Sequence, residues 1–171
     1  DTRPGETMRS TLPYWVQRCP SCGYCSSDLT SIHERAVGLI GADEYQRIIH
    51  DSLMPPKARE FLAYAAILDH VDQSGDAGWS ALHAAWSCDD AGDDAAATRC
   101  RLRALELWQK CKRGGEDFGD DVALEFTIVT DVCRRIGRWE DAVVACSEAL
   151  DSEDLSPLFE DILREEKALI D

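Results

Sequence analysis

The stretch that most constrains the fold runs from Val122 to Leu150, where two apolar stripes are separated by one glycine. Val122, Phe126, Val129, Cys133 and Ile136 recur at intervals of four, three, four and three residues. That spacing sets side chains on one face of an α-helix. Beyond Gly137, a second stripe holds Trp139, Ala142, Val143, Cys146, Ala149 and Leu150, while Glu140, Asp141 and Glu148 lie off it. The glycine between them predicts an antiparallel helical hairpin, each helix burying its apolar face against the other.

The rest of the chain reads as further helices. A helix capped by Ser27 or Asp28 is expected to end near Gly38 or Gly41, and a short one from Asp43 carries Tyr45, Ile48, Ile49 and Leu53. Pro55-Pro56 ends the short helix, and Pro56 starts the next, since proline suits a first helical turn. The helix from Lys57 to about Asp72 is apolar around nearly its whole circumference and is expected to be the central one. Gly75 and Gly78 read as a break, after which Trp79, Leu82, His83 and Trp86 resume the period. A long helix then carries Ala97, Cys100, Ala104, Trp108 and Cys111, and Gly114-Gly115 reads as a linker. A last helix from Ser156-Pro157 to Asp171 is expected to pack through Leu158, Ile162 and Leu169. The fold class is therefore all-α, with seven or eight helices stacked as hairpins and with Trp79, Trp86, Trp108, Phe126 and Trp139 largely buried. Residues 1–27 form an extended segment with a cysteine-rich turn, and residues 28–171 form the helical domain.

At 171 residues the chain is long enough for one domain with a real core. Its 18 basic against 33 acidic side chains, a formal charge of -15, oppose a nucleic-acid polymer or an anionic membrane. Seven aspartates and no Lys or Arg between Asp69 and Asp94 sharpen that exclusion and favour a basic partner peptide. No apolar run reaches the length of a membrane span. The start has no export-signal pattern, so a cytoplasmic protein is expected; Asp1 in place of methionine suggests residues upstream.

Cys88, Cys100, Cys111, Cys133 and Cys146 sit on helical stripes and read as small apolar core residues. Cys19-Pro-Ser-Cys22-Gly differs, because proline and glycine shape a turn on which two thiolates can converge on zinc. Cys25 is the next candidate ligand, and His33 the fourth.

The Val122–Leu150 hairpin resembles a tetratricopeptide repeat at Phe126, Val129, Thr130, Cys133, Gly137, Trp139, Ala142, Cys146, Ala149 and Leu150. With the Cys19-Pro-x-Cys22-Gly-Tyr24 turn, Ala85-Trp86 and Arg134-Arg135-x-Gly137, most of the chain after Pro13 resembles an uncharacterised bacterial family that joins a zinc knuckle to tetratricopeptide-like helices. An earlier Cys-Pro-x-Cys turn found in that family is missing here. No reaction is implied by this resemblance. The repeat resemblance implies a concave face on the first helix of each pair, which places Thr127, Asp131 and Arg134 on a partner-binding surface.

No phosphate loop, nucleophile elbow, dinucleotide fingerprint or His-Glu-x2-His is present. The sequence therefore points to a non-catalytic protein–protein interaction scaffold with a structural zinc knuckle. The alternatives are a zinc-dependent nucleic-acid or regulatory module using Arg3, Arg9 and Arg18, and an enzyme whose site carries no motif.

Overall fold

Gly75 and Gly78 fix the packing at the centre of the molecule. In the computed structural model, which describes residues 2–152 and 155–170, both lie inside one continuous helix, α5 (Ser74–Asp90). They do not break it. A Cβ at Gly78 would sit 2.2 Å from Trp108 Nε1, and one at Gly75 would meet the Cys111 sulfur and Phe118 at 3.4 Å. The two positions lie one turn apart on the same face, so the missing side chains let α5 close onto α6 (Asp94–Arg113). Trp108, 2% exposed, fills the space over Gly78 and stacks on Phe118 with ring centroids 4.6 Å apart.

Before this pair come α1 (Glu6–Arg9), α2 (Val37–Ile40), α3 (Asp43–His50) and α4 (Pro56–His70), with short 3-10 turns at Leu12–Tyr14 and Glu34–Ala36. The helix expected after Asp28 does not form. Residues 27–33 instead make turns, with Asp28 accepting from the Thr30 backbone and hydroxyl. α4 packs against α5, burying Phe61, Ala65 and Ile67, but the central helix is α5, which is held between α4 and α6, and not α4 as expected.

After α6 come α7 (Val122–Arg135), α8 (Trp139–Leu150) and α9 (Pro157–Ile170). Asp121 caps α7 by accepting from the Leu124 amide at 2.7 Å, and Gly137, at φ +76, ends the chain's excursion before α8. α7 packs on α8 and α9, while its contact with α6 is slight. α9 buries Leu163 and Glu166, leaving Leu158 and Leu169 outside, contrary to the expected packing set; Asp171 falls outside the described residues.

The tryptophans divide. Trp86 and Trp108 are buried, Trp79 and Phe126 are partly buried, and Trp139 is 51% exposed. Trp139 opens α8 as its first residue and overhangs the hairpin turn. The remaining element is a two-stranded antiparallel ribbon of β1 (Gln17–Arg18) and β2 (Cys25–Ser26), pairing Gln17 with Ser26 and Arg18 with Cys25. The chain is thus mainly helical, with this ribbon as its only sheet among the described residues, and no helix there is long and apolar enough to cross a membrane.

Candidate partner groove and cysteine turn

α7 carries two faces that compete for the interior, and the outcome differs from the pattern of its apolar residues. Thr127 and Asp131 are each 1% exposed. The Thr127 hydroxyl donates to Ala123 O within the helix. Asp131 accepts the Thr2 amide at 3.3 Å, the Thr2 hydroxyl at 2.6 Å, Arg134 at 2.8 Å and Arg135 at 3.0 Å. Burial alone would push the Asp131 carboxyl up; the Thr2 hydroxyl and the Arg135 and Arg134 guanidinium groups outweigh it and hold it below the ordinary carboxylate range. Arg134 in turn bridges to Glu166 of α9, itself 2% exposed. Thr127, Asp131 and Arg134 therefore do not present the solvent-facing concave surface expected of them. Asp131 and Arg134 form an internal polar network with Thr2, Arg135 and Glu166, in which enough opposite charge converges to compensate burial, while Thr127 is buried beside it and bonds only its own helix.

The apolar stripe of α7 is only partly covered: Cys133 is buried, Phe126 and Val129 are half-buried, and Val122 is open. Val122, Phe126, Val129 and Cys133 line a groove of about 560 Å³ whose walls come from Leu105 and Trp108 of α6 and from Val144 and Ala145 of α8. Val122 is 52% and Val144 57% exposed. Charged groups of both signs rim it. Lys112 is committed to Asp117 at 2.5 Å and Glu125 at 2.9 Å, and Arg138 to Asp141 at 3.0 Å. Arg113 and Glu148, also on the rim, have no ion-pair partner among the described residues. Glu125 sets the groove's mouth by accepting the Phe118 and Gly119 amides at 2.6 and 3.0 Å, which pins the α6–α7 linker. The stripe was the signal for this surface in the sequence; what the sequence hid was that α8 covers only part of it.

The cysteine turn is closed by Cys19 N–H donating to Tyr24 O at 2.7 Å and Gly23 N–H donating to Cys19 O at 2.9 Å, with Gly23 at φ +79. The backbone amides of Cys22 and Ser21, followed by the Cys22 side chain, favour the Cys19 thiolate and lower its thiol pKa. Cys19 and Cys22 thus share one turn, with Cys22 exposed. Cys25 faces inward. Its amide donates to the Tyr45 hydroxyl at 3.2 Å, and burial pushes its thiol up to about 11. His33 lies at the head of the 3-10 turn, its amide donating to the Tyr24 hydroxyl at 3.3 Å. The fold brings the first two expected ligands together and does not bring Cys25 and His33 to them. Among the described residues no group of three or more His, Cys, Asp or Glu side chains is placed to hold one ion. The chemistry of Cys19 and Cys22 fits half of a tetrahedral thiolate set.

Comparison with protein-family models, with curated proteins and with solved structures gives no match in any of the three.

Proposed function

We propose that the protein is a non-catalytic interaction scaffold in which the groove between α6, α7 and α8 receives an amphipathic helix of a partner protein. The observation that carries this reading is the open stripe of α7, whose apolar residues recur at four, three and four positions between two helical walls. A partner helix presenting apolar side chains at matching intervals would complete the packing that α8 leaves unfinished. Charge selects among such helices: one acid facing Arg113 and one base facing Glu148 would satisfy the two unpaired rim groups. The chain's charge of -15 favours partners that are basic outside the contact.

On this reading α5–α6 and α7–α8 are tetratricopeptide-like hairpins, and the partner surface lies between hairpins rather than on the polar side of α7. Cys19 and Cys22 are read as the chain's contribution to a structural zinc knuckle of the kind the bacterial family suggests. Zinc there would crosslink the turn, and the remaining donors would come from outside the pair. Elemental analysis of protein purified without chelator is expected to find zinc that is lost in a Cys19→Ser/Cys22→Ser variant; absence of zinc in the parent contradicts the metal reading.

The groove is tested with labelled amphipathic helical peptides of defined sequence that differ only in where an acid and a base flank the apolar face. Fluorescence anisotropy is expected to show binding by the peptide whose charges match Arg113 and Glu148. Val129→Asp should abolish that binding with the circular dichroism spectrum unchanged. Equal affinity of every peptide, or unchanged affinity in Val129→Asp, contradicts the proposal.

A further inference from the structure

Two cysteines outside the N-terminal turn touch beside a buried, bidentate ion pair between α5 and α6. Cys88 lies in the last turn of α5 and Cys100 in the second turn of α6, with their sulfurs 4.0 Å apart. The turn between the helices is fixed by Gly92 at φ +70 and by Asp93, which accepts the Ala96 amide at 2.9 Å. Beside the cysteines, Arg101 grips both oxygens of Asp89 at 3.1 and 2.6 Å, holding the two helices in register. Little freedom remains for the thiols to separate. Each is almost wholly buried, yet Cys100 forms part of the lining of a second pocket, about 350 Å³, together with Met54, Leu62, Arg99 and Arg103. A small neutral oxidant entering that pocket meets the Cys100 side of the pair.

We infer that Cys88 and Cys100 form an oxidisable dithiol at which the folded protein takes up a disulfide. The oxidant class is a hydroperoxide, with hydrogen peroxide as the simplest member. The Cys100 sulfur attacks one peroxide oxygen, forming an S–O bond as the O–O bond breaks; the thiol proton leaves with the released hydroxide as water. The Cys88 sulfur then attacks the sulfenic sulfur, forming the S–S bond as the S–O bond breaks, and its proton leaves with that hydroxide as a second water. Two thiols and one peroxide give one disulfide and two waters. Closing the pair from contact to bonding distance moves the sulfurs by about 2 Å, from side-chain rotation at the ends of two helices. In the reduced pair the Cys100 S–H donates to the Cys88 sulfur; that bond lowers the Cys88 thiol pKa and, together with burial, holds the Cys100 thiol well above its ordinary value, so bridging is expected to be slow and to quicken as the pH rises.

The test must separate this pair from Cys19 and Cys22, which are more exposed. The full chain is treated with hydrogen peroxide in native buffer, its circular dichroism is checked, remaining thiols are alkylated in denaturant, and trypsin is used without reductant. Cleavage after Arg59, Arg99 and Arg101 leaves Cys100 on the dipeptide 100–101 and Cys88 on the peptide 60–99. The expected product is that dipeptide attached to peptide 60–99, lighter than the sum of the two by two hydrogens. Cys88→Ala and Cys100→Ala should each lose it while retaining any Cys19–Cys22 bridge. The inference is overturned if Cys88 and Cys100 are recovered alkylated while Cys19 and Cys22 are bridged. It is equally overturned if the linked peptide forms only after the helical signal is lost, or if Cys100 passes to sulfinic acid without bridging.

Discussion

The α5–α6 contact and the α6–α7 contact join consecutive helices by opposite means. At the first, two glycines remove the side chains that would hold the helices apart, and Trp108 is driven against the backbone of α5. At the second, Ile128, Val132 and Cys133 of α7 reach the same core as α6 and Lys112 pairs with Glu125 at one end, while an apolar groove stays open between the helices. Close packing leaves α5–α6 one arrangement. Ion pairs across a gap tolerate several, so the seam is where the molecule can accept another surface.

The largest expected effect lies in the tight contact. Trp108→Ala removes the side chain that α5 closes on and is expected to cost about 3–5 kcal/mol by urea denaturation. A loss no larger than that of a surface substitution would erase the difference between the two contacts.

Acid should loosen the two regions in separate windows. His83 of α5 is enclosed by Trp15, Phe61, Trp79 and Trp86, with ring centroids 4.9 to 6.4 Å away. Burial lowers its pKa to about 4, against about 6.5 in the unfolded chain. The unfolded chain therefore binds the extra proton first. The contribution is complete above about pH 6.5 and is lost as the pH falls towards 4, by up to about 3 kcal/mol. His83→Leu should flatten that part of the stability–pH curve. Asp131, in the α7 network, has its pKa lowered, so its contribution is present above the unfolded value of about 3.9 and is lost only as the pH falls below it. Asp131→Asn should change only this lower limb. A single shared transition for both variants would count against two separable regions.

Gly78→Ala gives a sign test. In an open helix the change stabilises by about 1 kcal/mol. Here the added methyl meets Trp108, and overpacking is expected to turn the effect into a loss of about 1–3 kcal/mol, read from the thermal midpoint. The smallest effect belongs to the seam: Val144→Asp, on the groove wall, should change stability by no more than about 0.5 kcal/mol.

The sequence disclosed the parts of the fold that depend on neighbours along the chain. α4 starts at Pro56 as expected, and the α7–α8 hairpin turns at Gly137 as expected, because proline, glycine and the 3.6-residue period act locally. Gly75 and Gly78 looked like a break since their use depends on Trp108 and Phe118, some thirty to forty residues away. The polar side of α7 looked like an exposed face for the same kind of reason. Its burial depends on Thr2 and Glu166, which no local pattern links to Asp131 and Arg134. The cysteine turn was half legible: the Cys19–Cys22 spacing fixed its shape, whereas the inward direction of Cys25 follows from Tyr45, which comes from α3.

Hydrogen exchange measured residue by residue on the free native protein tests most directly whether the molecule is built from a sealed contact and an open one. The account predicts that amides of α7, α8 and α9 exchange through openings of lower free energy than those of α4, α5 and α6, which should exchange only through global unfolding. A single opening free energy shared by all six helices would contradict it.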